Sequence, residues 1–172
     1  MRTYLRNALG AGFIVATAAA AQSAFDDGAH DSSIHVTHLE ATARFSVEEL
    51  AALGTVEIEA VTPWTDGVVR FRGPTLETLA RRMGVASGTI VIEAVNDYRI
   101  EEPLAPLLED GAVLAVEMNG FALPMNSYGP VWLTFPSAAD RRLARSEGMY
   151  RWIWQIDRIE FLPDAPPNDA ER

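Results

Sequence analysis

The sequence predicts a single compact α+β domain that is mainly β. Its 172 residues suit one domain, and a hydrophobic content of 48% is sufficient to fill a core. Alternating apolar and polar residues, which are typical of strands, occur in more segments than the spacing that is typical of helices. The sequence contains no internal repeat. We therefore expect twisted sheets with a few short helices.

Two short helices have clear start signals. In "FSVEELAAL" Ser46 is placed to cap a helix, and Glu49, three residues later, completes a capping box. In "PTLETLARRMG" Thr75 is the expected cap, apolar residues recur at helical spacing, and Gly84 supplies a left-handed stop. Both helices are expected to be about two turns long.

Strands are expected wherever the apolar period falls to two. The segments are "TVEIEAV" from Thr55, "TIVIEAV" from Thr89, "AVLAVEM" from Ala112, "VWLTF" from Val131, and the chain from Trp152 to Phe161. Asn119 and Gly120 follow the third segment and favour a hairpin turn over a ligand contact, because a type I′ turn requires these residue types. In the last segment the apolar residues change parity, so this strand must bulge near Asp157 and Arg158.

The first 23 residues are expected to form a cleaved signal peptide. Arg2 and Arg6 precede an apolar run that is short for a membrane helix, and small residues then favour cleavage after Ala21 or Ser23. The two arginines are not adjacent, which favours the general secretory route over the twin-arginine route. We therefore expect a periplasmic protein with no membrane insertion after cleavage. The alternative is an uncleaved anchor.

Both ends of the mature chain have the composition of flexible tails. Residues 24–43 are polar and irregular, and residues 163–172 contain three prolines and no apolar periodicity. The folded domain is therefore expected to span residues 44–162.

Composition excludes several classes of function. The net charge is −10, and the 14 basic residues are all Arg, so an acidic surface argues against binding nucleic acid or anionic lipid. The chain has no Cys, which excludes disulfides, thiolate metal sites and cysteine nucleophiles. The sequence motifs of serine hydrolases, phosphate-binding loops, dinucleotide sites and zinc proteases are also missing.

The three histidines, His30, His35 and His38, lie close together near the predicted mature N-terminus. Neutral imidazoles bind Zn²⁺ or Cu²⁺ well, but this spacing matches no known ligand pattern. We interpret the cluster as part of a flexible tail, with a metal-buffering protein as the alternative. Adjacent carboxylates elsewhere point in opposite directions on an extended chain and are interpreted as surface charges.

Four segments together resemble the oxidoreductase molybdopterin-binding domain family, which has the sulfite-oxidase fold. In order they are "FRGPTLETLARRMG", "AVNDYRIEEP", "LAVEMNGFALPMNSYGPVWLTFP" and "RWIWQIDRIEF". The resemblance covers about residues 56–162 and is greatest to a short, exported bacterial branch that consists of this domain alone. It implies a compact α+β fold dominated by twisted sheets and, for an enzyme, a molybdopterin cofactor.

The sequence departs from this family at functionally important positions. Family enzymes hold molybdenum through a cysteine thiolate, which this chain lacks, and Trp132 stands where an Arg is common. We therefore expect a domain that has kept the fold and lost the cofactor. The alternative is a molybdopterin-dependent oxidoreductase without cysteine ligation, in which Asn96, Asp97 or Tyr98 acts in catalysis.

Turn-bearing segments at strand ends suggest a shallow binding groove, because rigid sheets often present binding residues there. The predicted contact residues are Trp64, Asn96, Tyr98, Tyr128, Trp132 and Arg151. Arg151 is the cation within the aromatic run "YRWIWQ" and could stack on a ring or receive an anion. We expect the ligand to be a small molecule or a periplasmic or membrane sensor protein. The alternative is that all six residues only pack the sheet ends.

Overall fold

The computed structural model describes residues 32–136 and 148–164. It confirms the predicted α+β, mainly β class. The strands are β1 (Ser33–His38), β2 (Ala41–Ser46), β3 (Val56–Val61), β4 (Val68–Gly73), β5 (Thr89–Ala94), β6 (Arg99–Pro103), β7 (Val113–Ala115), β8 (Glu117–Met118), β9 (Phe121–Ala122), β10 (Trp132–Thr134) and β11 (Ile156–Leu162). The helices are α1 (Val47–Ala52), α2 (Leu76–Arg82) and α3 (Leu104–Glu109), with a 3₁₀ turn at Met149–Arg151.

Three sheets enclose the core. One has five strands in the order β2-β1-β11-β5-β6, another has four in the order β3-β4-β8-β9, and β7 pairs with β10. The pairing is antiparallel except between β1 and β11. The four-stranded sheet is hydrogen-bonded to the small sheet. Within the four-stranded sheet β4 pairs with β8, and directly after β4 the Pro74 carbonyl accepts from the Leu114 N–H of β7 at 2.9 Å.

The N-terminal boundary of the domain requires a correction. Residues 33–43 were expected to lie in a flexible tail, but they form β1 and much of β2. Ile34 and Val36 alternate into the core and are fully buried, and β1 pairs with β11 inside the five-stranded sheet. The predicted signal peptide, His30 and residues 165–172 lie outside the described residues.

The predicted caps and turns are confirmed. The Ser46 side chain accepts from the Glu49 backbone N–H and the Glu49 carboxylate accepts from the Ser46 N–H, which completes the capping box. Thr75 caps α2 through the Thr78 N–H at 3.1 Å. Asn119 and Gly120 link β8 to β9 with φ of +53° and +82°, as a type I′ turn requires.

The strand predictions are confirmed with two differences. The register of β11 shifts between Ile156 and Arg158, where the bulge was expected. However, regular pairing begins only at Ile156, and residues 152–155 are irregular. The segment 112–118 was expected as one strand, but it divides into β7 and β8, because its first half pairs with β10 and its second half with β4.

β4 and β7 lie very close together at Gly73. A Cβ atom added there would lie 1.9 Å from the Leu114 carbonyl oxygen, which belongs to the backbone and cannot move independently. Only glycine permits this approach of β4 to β7. The four-stranded sheet and the small sheet thus share one fixed junction.

We predict that Gly73→Ala lowers the free energy of unfolding by about 3 kcal/mol or more, because the two strands must separate. Gly67→Ala is the control. Its added Cβ meets no atom within 4 Å, although φ is +69°, so only backbone strain of about 1–2 kcal/mol is expected. Chemical denaturation measures both values, and equal losses in the two variants would contradict the close junction.

Candidate functional site

A cavity of about 310 Å³ opens beside the end of β5 and the 3₁₀ turn. It is lined by Trp64, Ala94, Asn96, Tyr98, Met149, Tyr150, Trp152, Ile153 and Trp154. Five of these nine residues are aromatic and none carries a charge. Both the volume and the lining are typical of small-molecule sites, which are mostly apolar with a few placed polar groups.

The turn between β5 and β6 forms one wall. Asn96 Oδ1 accepts a hydrogen bond from the Tyr98 N–H at 3.2 Å, and Asp97 has a φ of +63° that Asp and Asn tolerate better than most residues. The Tyr98 hydroxyl then donates to the Tyr150 carbonyl at 3.1 Å. This bond fixes the turn to the opposite wall.

A second turn, between β3 and β4, supplies Trp64. The buried Thr62 hydroxyl accepts from the Trp64 N–H at 3.2 Å and bonds the Thr65 hydroxyl at 2.8 Å. On the side away from the cavity, the Tyr128 hydroxyl donates to the Trp64 carbonyl at 3.2 Å. These bonds hold the Trp64 backbone from both sides.

Behind the cavity lies an aromatic cluster centred on Trp132, which is fully buried. Tyr128 stacks on it with a centroid distance of 4.4 Å and an interplanar angle of 17°. Phe71, Trp154 and Trp64 approach it edge-on at 5.2, 5.8 and 6.4 Å. The Trp132 Nε1–H has no partner among the described residues. Trp64 and Trp154, two of the three tryptophans that line the cavity, are therefore supported from the core.

Residues 152–155 are held by backbone bonds rather than by regular strand pairing. The Leu133 N–H donates to the Ile153 carbonyl at 2.8 Å, and the Gln155 N–H donates to the Tyr128 carbonyl at 3.2 Å. On the other side the Val95 N–H donates to the Gln155 carbonyl at 3.0 Å. The segment thus bridges the small sheet and the β5–β6 turn, and this places its aromatic residues at the cavity.

Arg151 lies in an ionic cluster next to the cavity. Its guanidinium donates to Glu102 at 2.9 Å and lies 3.7 Å from Asp110, and the three side chains are 21%, 12% and 6% exposed. The Tyr150 hydroxyl donates to the other Glu102 oxygen. Burial lowers the pKa of Arg151, but the hydrogen bond to Tyr150 and the Glu102 charge outweigh it, so its pKa is raised above the ordinary value. The Arg151 side chain is therefore held in place by its partners and carries a positive charge.

The structure brings together only half of the predicted contact residues. Trp64, Asn96 and Tyr98 line the cavity, whereas Tyr128 and Trp132 lie behind its wall and Arg151 is directed into the ionic cluster. Tyr150, Trp152 and Trp154 also line the cavity but were not among the predicted residues. The signal for them was the aromatic run around Arg151, whose aromatic residues and not its cation are part of the lining.

The histidines do not form a metal site within the described part of the chain. No group of three or more His, Asp or Glu side chains suited to a metal ion occurs there. His35 and His38 are three residues apart on β1 and so project to opposite faces of the sheet. His38 Nδ1 instead lies 3.1 Å from the Met83 carbonyl oxygen.

The family model of the oxidoreductase molybdopterin binding domain matches residues 20–162. The chain belongs to this family. Among solved structures it resembles the sulfane dehydrogenase SoxCD from Paracoccus pantotrophus, with a TM-score of 0.57 and 17% identity. That match covers 80% of this chain and 40% of the SoxCD chain, so it confirms the fold alone. A comparison with curated proteins gives no match.

The residues that the structure describes do not fit a molybdenum cofactor. The family's thiolate ligand is impossible in a chain without Cys. Molybdopterin also bears a phosphate, yet none of the described residues that line the cavity is cationic, and the nearby Arg151 is paired with two carboxylates. Trp132, which the sequence resemblance places where Arg is common in the family, is buried in the core. We therefore derive no reaction that depends on molybdenum.

Arg151→Ala is predicted to lower the free energy of unfolding by about 2–4 kcal/mol, because it leaves two poorly exposed carboxylates without this cation. Arg99→Ala is the matched control, since Arg99 pairs with Glu101 at 3.0 Å with both side chains about half exposed. Its cost should stay below about 1 kcal/mol. Thermal or chemical unfolding compares the two variants. If Arg151→Ala were no more costly than the control, the cluster would not be structural.

Proposed function

We propose that this protein is a periplasmic, cofactor-free binding module of the molybdopterin-binding fold, and that it holds a small molecule in the aromatic cavity. The observation that supports this proposal most directly is the cavity lining, in which five of nine residues are aromatic and none is charged. Such a lining suits an organic ligand with little anionic character.

The rigidity of the walls supports this proposal. Each wall is fixed by hydrogen bonds that do not involve a ligand, including the Tyr98 hydroxyl to the Tyr150 carbonyl and the Tyr128 hydroxyl to the Trp64 carbonyl. A preformed site loses less conformational entropy when it binds. The cavity is therefore suited to binding without a large rearrangement.

The periplasmic location in this proposal depends on the sequence of residues 1–23, which lie outside the described residues. No helix in the ranges 32–136 and 148–164 is long and apolar enough to cross a membrane.

Family membership favours a second candidate, a molybdopterin-dependent oxidoreductase without cysteine ligation. Asn96, Asp97 and Tyr98 would then be the catalytic candidates. Two of them line the cavity, but the Tyr98 hydroxyl and Asn96 Oδ1 are already engaged within the protein. We rank this candidate second because neither the thiolate nor a cation for the phosphate is available in the described site.

Native mass spectrometry of protein isolated from the periplasm of its own host tests the proposal. We predict a chain that carries a small organic adduct and, by elemental analysis, far less than one molybdenum per chain. About one molybdenum per chain, with the mass of a pterin, would establish the second candidate instead. A bare chain would contradict the small-molecule part of the proposal.

A further inference from the structure

We infer that the cavity recognises a quaternary ammonium group. This inference rests on the proposed function and specifies its ligand class. An organic cation with N-methyl groups is attracted to the negative faces of aromatic rings, and cages of Trp and Tyr are the usual protein site for such groups. The lining includes three Trp and two Tyr residues around one space of about 310 Å³.

The hydrogen-bonding state of the lining favours this ligand over a primary ammonium or a carboxylate. The Tyr98 hydroxyl donates to the Tyr150 carbonyl, the Tyr150 hydroxyl donates to Glu102, and Asn96 Oδ1 accepts from the Tyr98 N–H. A primary ammonium would need several acceptors and a carboxylate would need donors. A quaternary ammonium needs neither, so the rings themselves suffice for recognition.

Charge also favours a cation. None of the lining residues that the structure describes is basic, and the adjacent Arg151 is held by Glu102 and Asp110, so its charge is balanced locally. The whole chain has a net charge of −10, which raises the concentration of cations at its surface. The same negative net charge would lower the concentration of an anionic ligand at the surface.

The rings that form the site have defined support. Trp64 and Trp154 pack edge-on at 5.0 Å, and Tyr128 and Trp132 lie behind them. Tyr98 is 43% exposed, and its hydroxyl bond to the Tyr150 carbonyl spans two walls of the cavity. Because the side chain is this exposed, the Tyr98 ring can be changed with little disturbance of the core, and Tyr98→Phe shows separately what the loss of the hydroxyl bond costs.

The experiment is a calorimetric titration of the purified protein with choline and with 3,3-dimethylbutan-1-ol. The second compound has the same shape with carbon in place of the charged nitrogen. We expect choline to bind at least about tenfold more tightly than the neutral analogue, because several cation–π contacts add together. Removing the Tyr98 ring with Tyr98→Leu should weaken choline binding about three- to tenfold. Tyr98→Phe, which keeps the ring, should retain affinity within about threefold.

The control variant is Phe121→Leu, which removes a ring that is 77% exposed and does not line the cavity. It should leave choline affinity unchanged. Equal binding of choline and its neutral analogue would overturn the cation inference while supporting an apolar binding site. Binding of neither compound would also overturn the inference, and the native mass measurement would still decide the proposed function. Equal losses in Tyr98→Leu and Tyr98→Phe would show that ring recognition is not the cause.

Discussion

The stacking of Tyr128 on the buried Trp132 ring is the contact on which the site depends. Its centroid distance is 4.4 Å, and the edge-on contacts of Phe71, Trp154 and Trp64 complete the cluster. These five rings come from three parts of the chain, namely the β3–β4 hairpin, residues 128–132 and the segment before β11. Aromatic pairs of this kind contribute about 0.5–1.5 kcal/mol each beyond the area they bury. The cluster thus joins two sheets to the loops that line the cavity.

This cluster also explains how the fold and the proposed function fit together. The family fold is retained, as the match over residues 20–162 shows. At Trp132, which the sequence resemblance places where Arg is common in the family, an apolar ring fills the core and supports Trp64 and Trp154. Arg151, beside the cavity, is neutralised by Glu102 and Asp110. In our proposal a site suited to an anionic cofactor has thereby become a site for a neutral or cationic molecule.

Features set by local sequence were predictable. Ser46 with Glu49 specifies a helix start, Asn119-Gly120 specifies a hairpin, and the change of parity locates the bulge in β11. The place of β1 was not predictable in this way. Its six residues resemble a polar tail, and its parallel partner β11 lies more than a hundred residues further along the chain. Such long-range pairing leaves little trace in a single sequence.

The site shows the same division between local and distant causes. Asn96 and Tyr98 were predicted because a short turn determines where they lie. The lining role of Tyr150 and the pairing of Arg151 with Glu102 were not predicted, although Arg151 lies over the Tyr150 ring at 5.7 Å, which is one of the two roles expected for it. Both depend on Glu102, which belongs to the distant strand β6, and on the irregular backbone that follows the 3₁₀ turn. Residue type alone predicted Arg151 as a ligand contact. In the folded chain its aromatic neighbours line the cavity, and Arg151 pairs with Glu102.

The most direct test of this account is the stability of Trp132→Arg, which restores the residue common in the family. We predict that it lowers the free energy of unfolding by more than about 4 kcal/mol, because the guanidinium would be buried without a partner. Trp132→Phe, which keeps an aromatic ring, should cost about 2 kcal/mol. Chemical denaturation measures both. A Trp132→Arg protein with the stability of the unmodified chain would contradict the claim that the aromatic cluster holds the fold and the site together.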